Sequence, residues 1–181
     1  MRLFLALYPP RPRAEEFVAL VPQRLERCRP SPPDQVHCTV FFLGDRADRE
    51  LDETTASAEA CCAGLPAFSL RPTLLTALPE RGPKRTVVVC CDRPATLLEI
   101  HDRAVRRFAR QPRSGARERF LPHLTVGRFG GAGESIELDV PLELEPFEVA
   151  EIRLVESRLR PTGAVHRDVA VFPLGERTVR R

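Results

Sequence analysis

Two histidines stand at the head of the same short pattern. His37-Cys-Thr-Val40 runs into Phe-Phe-Leu-Gly44, and His123-Leu-Thr-Val126 runs into Gly-Arg-Phe-Gly130, with about half the chain between them. Imidazole is the side chain whose ordinary pKa lets it take or give a proton near neutral pH, so a matched pair is suited to acting as base and acid in one reaction. Chance does not readily supply such a pair. Four histidines and ten threonines in 181 residues generate His-x-Thr about 0.2 times at random. Taken singly, either histidine reads more plainly as a capped or core residue; taken together they do not.

On a strand, residues two apart share a face, so each histidine is expected to project beside its threonine. A duplicated half-unit would set the two strands symmetrically about one cleft. In-line displacement at phosphorus needs that arrangement, with a base activating water on one side and an acid protonating the departing alkoxide on the other. Opening a cyclic phosphodiester is such a reaction. Thr39 and Thr125 could hold the non-bridging oxygens. Five residues beyond each histidine stand Phe42 and Arg128. Arg128 could neutralise the phosphate through a bidentate contact. Phe42 could stack on a base or ribose, although core packing is its plainer reading. Strict alternation turns both away from the histidines, so a bulge or a strand end is needed to bring Arg128 round. No metal or cofactor is required where hydroxyls and an arginine stabilise the charge. As metal ligands, His37 and His123 lack a suitably spaced third.

The elements that must position these residues can be read from periodicity. Residues 2–7 predict a buried strand stopped by Pro9 and Pro10. A helix is expected over 13–28, with Pro22 kinking or dividing it. A loop follows over 29–34, then a strand over 36–43. A second helix is expected over 48–63, and one or two strands over 67–78, broken by Pro72. Thr86–Cys91 reads as a central strand. A third helix is expected over 95–110, with His101 on its apolar stripe as a core or boundary residue. Strands are expected over 120–129, 147–158 and 166–172, the last two joined by a Pro161-Thr-Gly163 turn. The acidic stretch 134–146 is the least regular, and His166 is expected at a surface or groove edge.

The bulk composition limits the alternatives. A hydrophobic fraction of 43% supports a core without metal or disulfide staples, and a net charge of +3 gives no strong basic field. Six cysteines show no Cys-x-x-Cys spacing, which predicts small buried hydrophobes in a reducing, cytoplasmic compartment. The apolar opening is too short for a signal peptide, and no segment has the length of a membrane span. Helices and strands interleave without a dividing linker, so residues 1–181 are expected to form one domain, and a monomer.

At this point the sequence resembles the RNA 2',3'-cyclic phosphodiesterase, or 2'-5' RNA ligase, family of the two-histidine (2H) phosphoesterase superfamily. Arg2-Leu-Phe-Leu-Ala6 is similar to the family's first strand. The two motif blocks are His37–Gly44 and Phe120–Arg128, and Glu156–Pro161 and Val171–Leu174 are similar to its C-terminal strands. The resemblance implies an α+β, bilobal fold in which two antiparallel sheets from a pseudo-twofold duplicated unit face a central groove, with helices outside. It implies His37 as proton donor to the departing 3' oxygen, His123 as proton acceptor from water, and Arg128 at the phosphate. The implied substrate is RNA with a 2',3'-cyclic phosphate end, the product a 2'-phosphate, and 2'-5' ligation the reverse reaction. Cys38 stands where the family usually has leucine, and Gly127 where a small residue such as alanine is usual. Competing readings are the same site acting on another cyclic or 2'-5' linked nucleotide, and an RNA-binding module without chemistry.

Overall fold

The computed structural model describes residues 1–109, 119–160 and 163–175. The first strand, β1 (Arg2–Leu7), alternates between two buried faces. Leu3, Leu5 and Leu7 enter the main core, whereas Phe4 and Ala6 join Val155 in a smaller cluster on the other face. Helix α1 (Arg11–Ala19) follows Pro10 and carries Phe17 into the core. It ends well short of the expected 28 because Pro22 lacks the N–H that would bond Val18 and its ring would meet that carbonyl. The expected loop at 29–34 is also corrected. Cys28–Pro30 forms a short strand, β2, and Pro33–Gln35 a single 3-10 turn.

The remaining strands and α-helices are β3 (Cys38–Asp45), α2 (Leu51–Cys62), β4 (Phe68–Leu70), β5 (Pro72–Leu78) and β6 (Thr86–Cys91). Then come α3 (Ala95–Phe108), β7 (His123–Phe129), β8 (Asp139–Pro141), β9 (Phe147–Val149), β10 (Glu151–Arg160) and β11 (Gly163–Pro173). The expected strand 147–158 is thus two, because β9 pairs with β4 in a separate small sheet. Residue 110 of the expected third helix and the turn at 161–162 lie outside the described residues.

The large sheet is antiparallel, in the order β11-β10-β1-β3-β7-β6-β5-β8, with β2 lying beside β7 off this path. It reads as two halves that mirror each other about the β3–β7 seam. In each half a strand, a helix and a motif strand follow in sequence: β1, α1, β3 and β6, α3, β7. The halves lean on one another, since α3 packs against β3 and α1 against β7. One continuous cluster of buried apolar side chains fills the space between the sheet and the helices. All six cysteines are unpaired and buried. Among the described residues no helix is long and apolar enough to cross a membrane.

Candidate active site

The two histidine motifs meet at the seam. The recorded β3–β7 pairing is Cys38 with Leu124, both fully buried on the core face. An antiparallel register about that pair sets His37 across from Thr125 and Thr39 across from His123. All four therefore project from the opposite, groove-lining face. Cys38 points into the core, as its place between His37 and Thr39 predicts.

Each imidazole is held in the same way. His37 Nδ1 lies 2.7 Å from the Gln35 carbonyl, and His123 Nδ1 lies 2.8 Å from the Leu121 carbonyl. A carbonyl can only accept, so Nδ1–H donates in both and Nε2 is left for the groove. The two motifs thus present equivalent nitrogens from opposite sides of the seam.

Arg128 and Phe42 reach the groove by equivalent bulges. In β7 the partners of Val88 and Val87 are Thr125 and Gly127, which leaves Val126 as an extra residue. Val126 and Gly127 are consecutively buried, and Arg128 emerges on the side of His123 and Thr125. The freed Val126 carbonyl accepts a bond from the Ser31 N–H at 2.8 Å. In β3 the partners of Ala6 and Leu5 are Thr39 and Phe41, which leaves Val40 as the extra residue. Phe41 then faces the core and Phe42 the groove, where it touches Phe4 with ring centroids 5.9 Å apart. Phe42 is 64% exposed, so the core-packing reading of it is corrected.

The surroundings of the two histidines differ. The His37 ring is enclosed by Phe4 at 5.2 Å, Tyr8 at 5.5 Å and His166 at 4.9 Å. Burial pushes its pKa down to about 4, against the Gln35 carbonyl, which favours the charged form. Positive charge on His166, His123 and Arg128 acts in the same direction as burial. Arg153 lies over the Tyr8 ring and pairs with Asp168 at that end. On the other side, the groove opens into a largely apolar cavity of about 610 Å³ lined by Thr39, Phe42, Leu78, Phe120, Leu121 and His123. His101 also lines that cavity, buried at 7% exposure and stacked on Phe120 at 4.2 Å, as the core-or-boundary reading expects.

Phe4 and Tyr8 were not legible as site residues, and His166 was expected only at a surface or groove edge, without a role. Phe4 on β1 and Tyr8 just beyond it fall on one side by even spacing, which is the one signal that could have flagged them. Among the described residues no group of three or more His, Cys, Asp or Glu side chains is placed to hold a metal ion.

Known proteins share this architecture. A Thermus thermophilus protein, TT0787, superimposes with a TM-score of 0.80 at 26% identity, covering 96% of this chain and 98% of that one. E. coli LigT, in a crystal structure complexed with 3'-AMP, gives a TM-score of 0.78 at 22% identity over 97% and 98% of the two chains, a likeness of fold. In sequence, the chain is 26% identical over 148 residues to the RNA 2',3'-cyclic phosphodiesterase of Methanothermobacter thermautotrophicus, covering 78% of this chain and 80% of that protein. The protein of the same name from Thermotoga maritima is 23% identical over 137 residues, covering 74% and 73%. Residues 9–160, which span both histidine motifs, match the 2'-5' RNA ligase superfamily, and the chain belongs to that family.

Proposed function

We propose that the protein is a phosphodiesterase that opens 2',3'-cyclic phosphate ends of RNA to 2'-phosphates, without a metal. The observation that carries this reading is the seam itself, where two imidazoles anchored through Nδ1 turn Nε2 toward one groove, each beside a threonine. Water attacks phosphorus as His123 Nε2 takes its proton. The bond from phosphorus to the 3' oxygen breaks as His37 gives that oxygen a proton. Thr39 and Thr125 hold the non-bridging oxygens, Arg128 offsets their charge, and Phe42 offers a face to the adjoining base. The activity named for the two curated relatives supports this chemistry. The six buried, unpaired cysteines support a reducing, cytoplasmic setting.

The histidine roles face one physical test. A donor must carry two protons before the step, yet burial holds unliganded His37 neutral at pH 7. A phosphodiester anion seated beside His37 would raise its pKa and restore the donor. The same observation favours a second assignment, with His37 as base and His123 as acid. A leaving group that needs no protonation separates the two. A 3'-thio analogue of the cyclic substrate should rescue His37→Ala if His37 is the acid, and His123→Ala if the roles are exchanged.

The primary experiment is incubation with an RNA ending in a 2',3'-cyclic phosphate and identification of the monophosphate formed. A 2'-phosphate is expected, formed equally well in EDTA. His37→Ala and His123→Ala should each lower kcat roughly 100-fold or more, the usual size of a lost general acid or base. Near-normal turnover by either variant would remove that histidine from the mechanism.

A further inference from the structure

The long hairpin of β10 and β11 carries a further bulge. Ala170 pairs with Leu154 but Asp168 pairs with Val155, so Val169 is the extra residue. Without it, His166 would fall on the core face with Ala170 and Phe172. With it, Asp168 and His166 turn to the groove face, where Asp168 meets Arg153 and His166 meets His37. The His166 ring stands edge-on to His37, with 4.9 Å between centroids and an interplanar angle of 83°, and it also touches Phe4 at 5.2 Å. The Nδ1 of His166 is buried with no hydrogen-bond partner. Nε2 is therefore the nitrogen a groove ligand can reach.

Two charges on other elements face this ring. Arg128 on β7 lowers the basicity of His166 and Asp34 in the 3-10 turn raises it, while His37 lies in direct contact. Burial, the largest influence, also favours the neutral form. A neutral ring with a bare, enclosed Nδ1 carries its proton on Nε2, since a partnerless N–H at the enclosed position would lose its solvation for nothing. His166 then differs in kind from the other two groove histidines. They offer a lone pair at Nε2, and it offers a donor.

We propose that His166 is a third substrate-contacting imidazole, which donates its Nε2–H to an oxygen of the phosphate held between it and Arg128. The proposal rests on the groove being the phosphodiester site, but its test does not depend on turnover. Inorganic phosphate is titrated into the whole protein while the Cε1–H resonances of the histidines are followed by NMR. The His166 resonance should shift with the same Kd as those of His37 and His123. His166→Phe, which keeps a ring against His37 and Phe4 but removes the donor, should weaken phosphate binding roughly tenfold, the usual loss for one hydrogen bond to an anion. His166→Gln, which restores an N–H, should recover most of it. On a 2',3'-cyclic nucleotide, the loss in His166→Phe should fall mainly on KM. A His166 resonance unmoved by phosphate, or a His166→Phe variant with the wild-type Kd, overturns the proposal. Phosphate binding through His166 without turnover of a cyclic phosphodiester would sustain the contact and instead refute the proposed reaction.

Discussion

His37 and His123 share an anchor and differ in everything around it. Each gives Nδ1–H to the carbonyl two residues before it, so the backbone of each motif sets the tautomer of its own histidine. His37 is then closed in by three rings, whereas among the described residues no aromatic ring lies against His123. That enclosure makes stability depend on pH. The unfolded chain binds a proton on this imidazole near pH 6.5, and the folded protein resists it until about pH 4. Between those values the unfolded state holds more protons, so acid favours unfolding. The contribution is intact above pH 6.5 and is lost progressively as the pH falls toward 4. His166, whose pKa is also lowered by burial, adds in the same direction. Urea unfolding at several pH values should show His37→Gln losing less stability across this window than the wild type, by on the order of 2 kcal/mol. Parallel losses in the two proteins would mean that His37 is not held neutral in the fold. Residue type and spacing were enough to single out both histidines and both threonines, which the fold brings to one face of the sheet. They could not show the enclosure, because Phe4, Tyr8 and His166 come from segments distant from His37 in sequence.

Bulges govern which side chains reach the groove. A single extra valine in β3, in β7 and in β11 transfers Phe42, Arg128 and His166 from one face to the other. The first two lie at the same offset within their motifs, so the repeat extends past the histidine and threonine into the backbone irregularity. Gly127 belongs to this device. A Cβ on it would lie 2.6 Å from Cys28 Sγ and 3.3 Å from the Val21 methyls. An alanine there would be crowded, because Cys28, on β2, and Val21, just beyond α1, already fill that space. Gly127→Ala should therefore destabilise the protein by about 1–3 kcal/mol through overpacking. It should also weaken phosphate binding by shifting Arg128. Adding Cys28→Ala should return part of the stability, and a double-mutant cycle in urea measures the coupling. Additive losses would mean that the thiol and the glycine are not packing partners. The bulge at Arg128 was legible as a requirement, since strict alternation pointed the arginine the wrong way. The bulge in β11 was not, because no motif there demanded a particular face. The overlong α1 and the missed β2 share one cause. The stretch 20–35 holds four prolines, and apolar spacing carried the helix through turns that Pro22 imposes.

The two halves of the molecule are related by topology but are not independent. Among the described residues, β3 and β7 pair at Cys38 and Leu124 and the short β2 pairs with β7 at three positions, a narrow link if backbone pairing alone held the halves together. The stronger link is the exchange of helices. The α3 helix, from the second half, covers β3, and α1, from the first, covers β7. Phe17 of α1 and Leu97 and Ile100 of α3 are fully buried in one cluster with residues from both halves. Separating the halves would expose both helix faces and the backs of both motif strands, including Cys38 and Leu124, which are 0% exposed. Full burial of a single large apolar side chain is worth roughly 1.5–3 kcal/mol, so several such side chains outweigh the stability that a lone half could hold. The groove histidines are therefore expected to lose their native environments together. In a urea titration, the NMR resonances of His37 and His123 should collapse with one midpoint, coincident with the loss of far-ultraviolet circular dichroism. A seam that joined two autonomous lobes would behave otherwise. One histidine would keep its native resonance after the other had lost it, and the acid–base pair would then be assembled by docking rather than by folding.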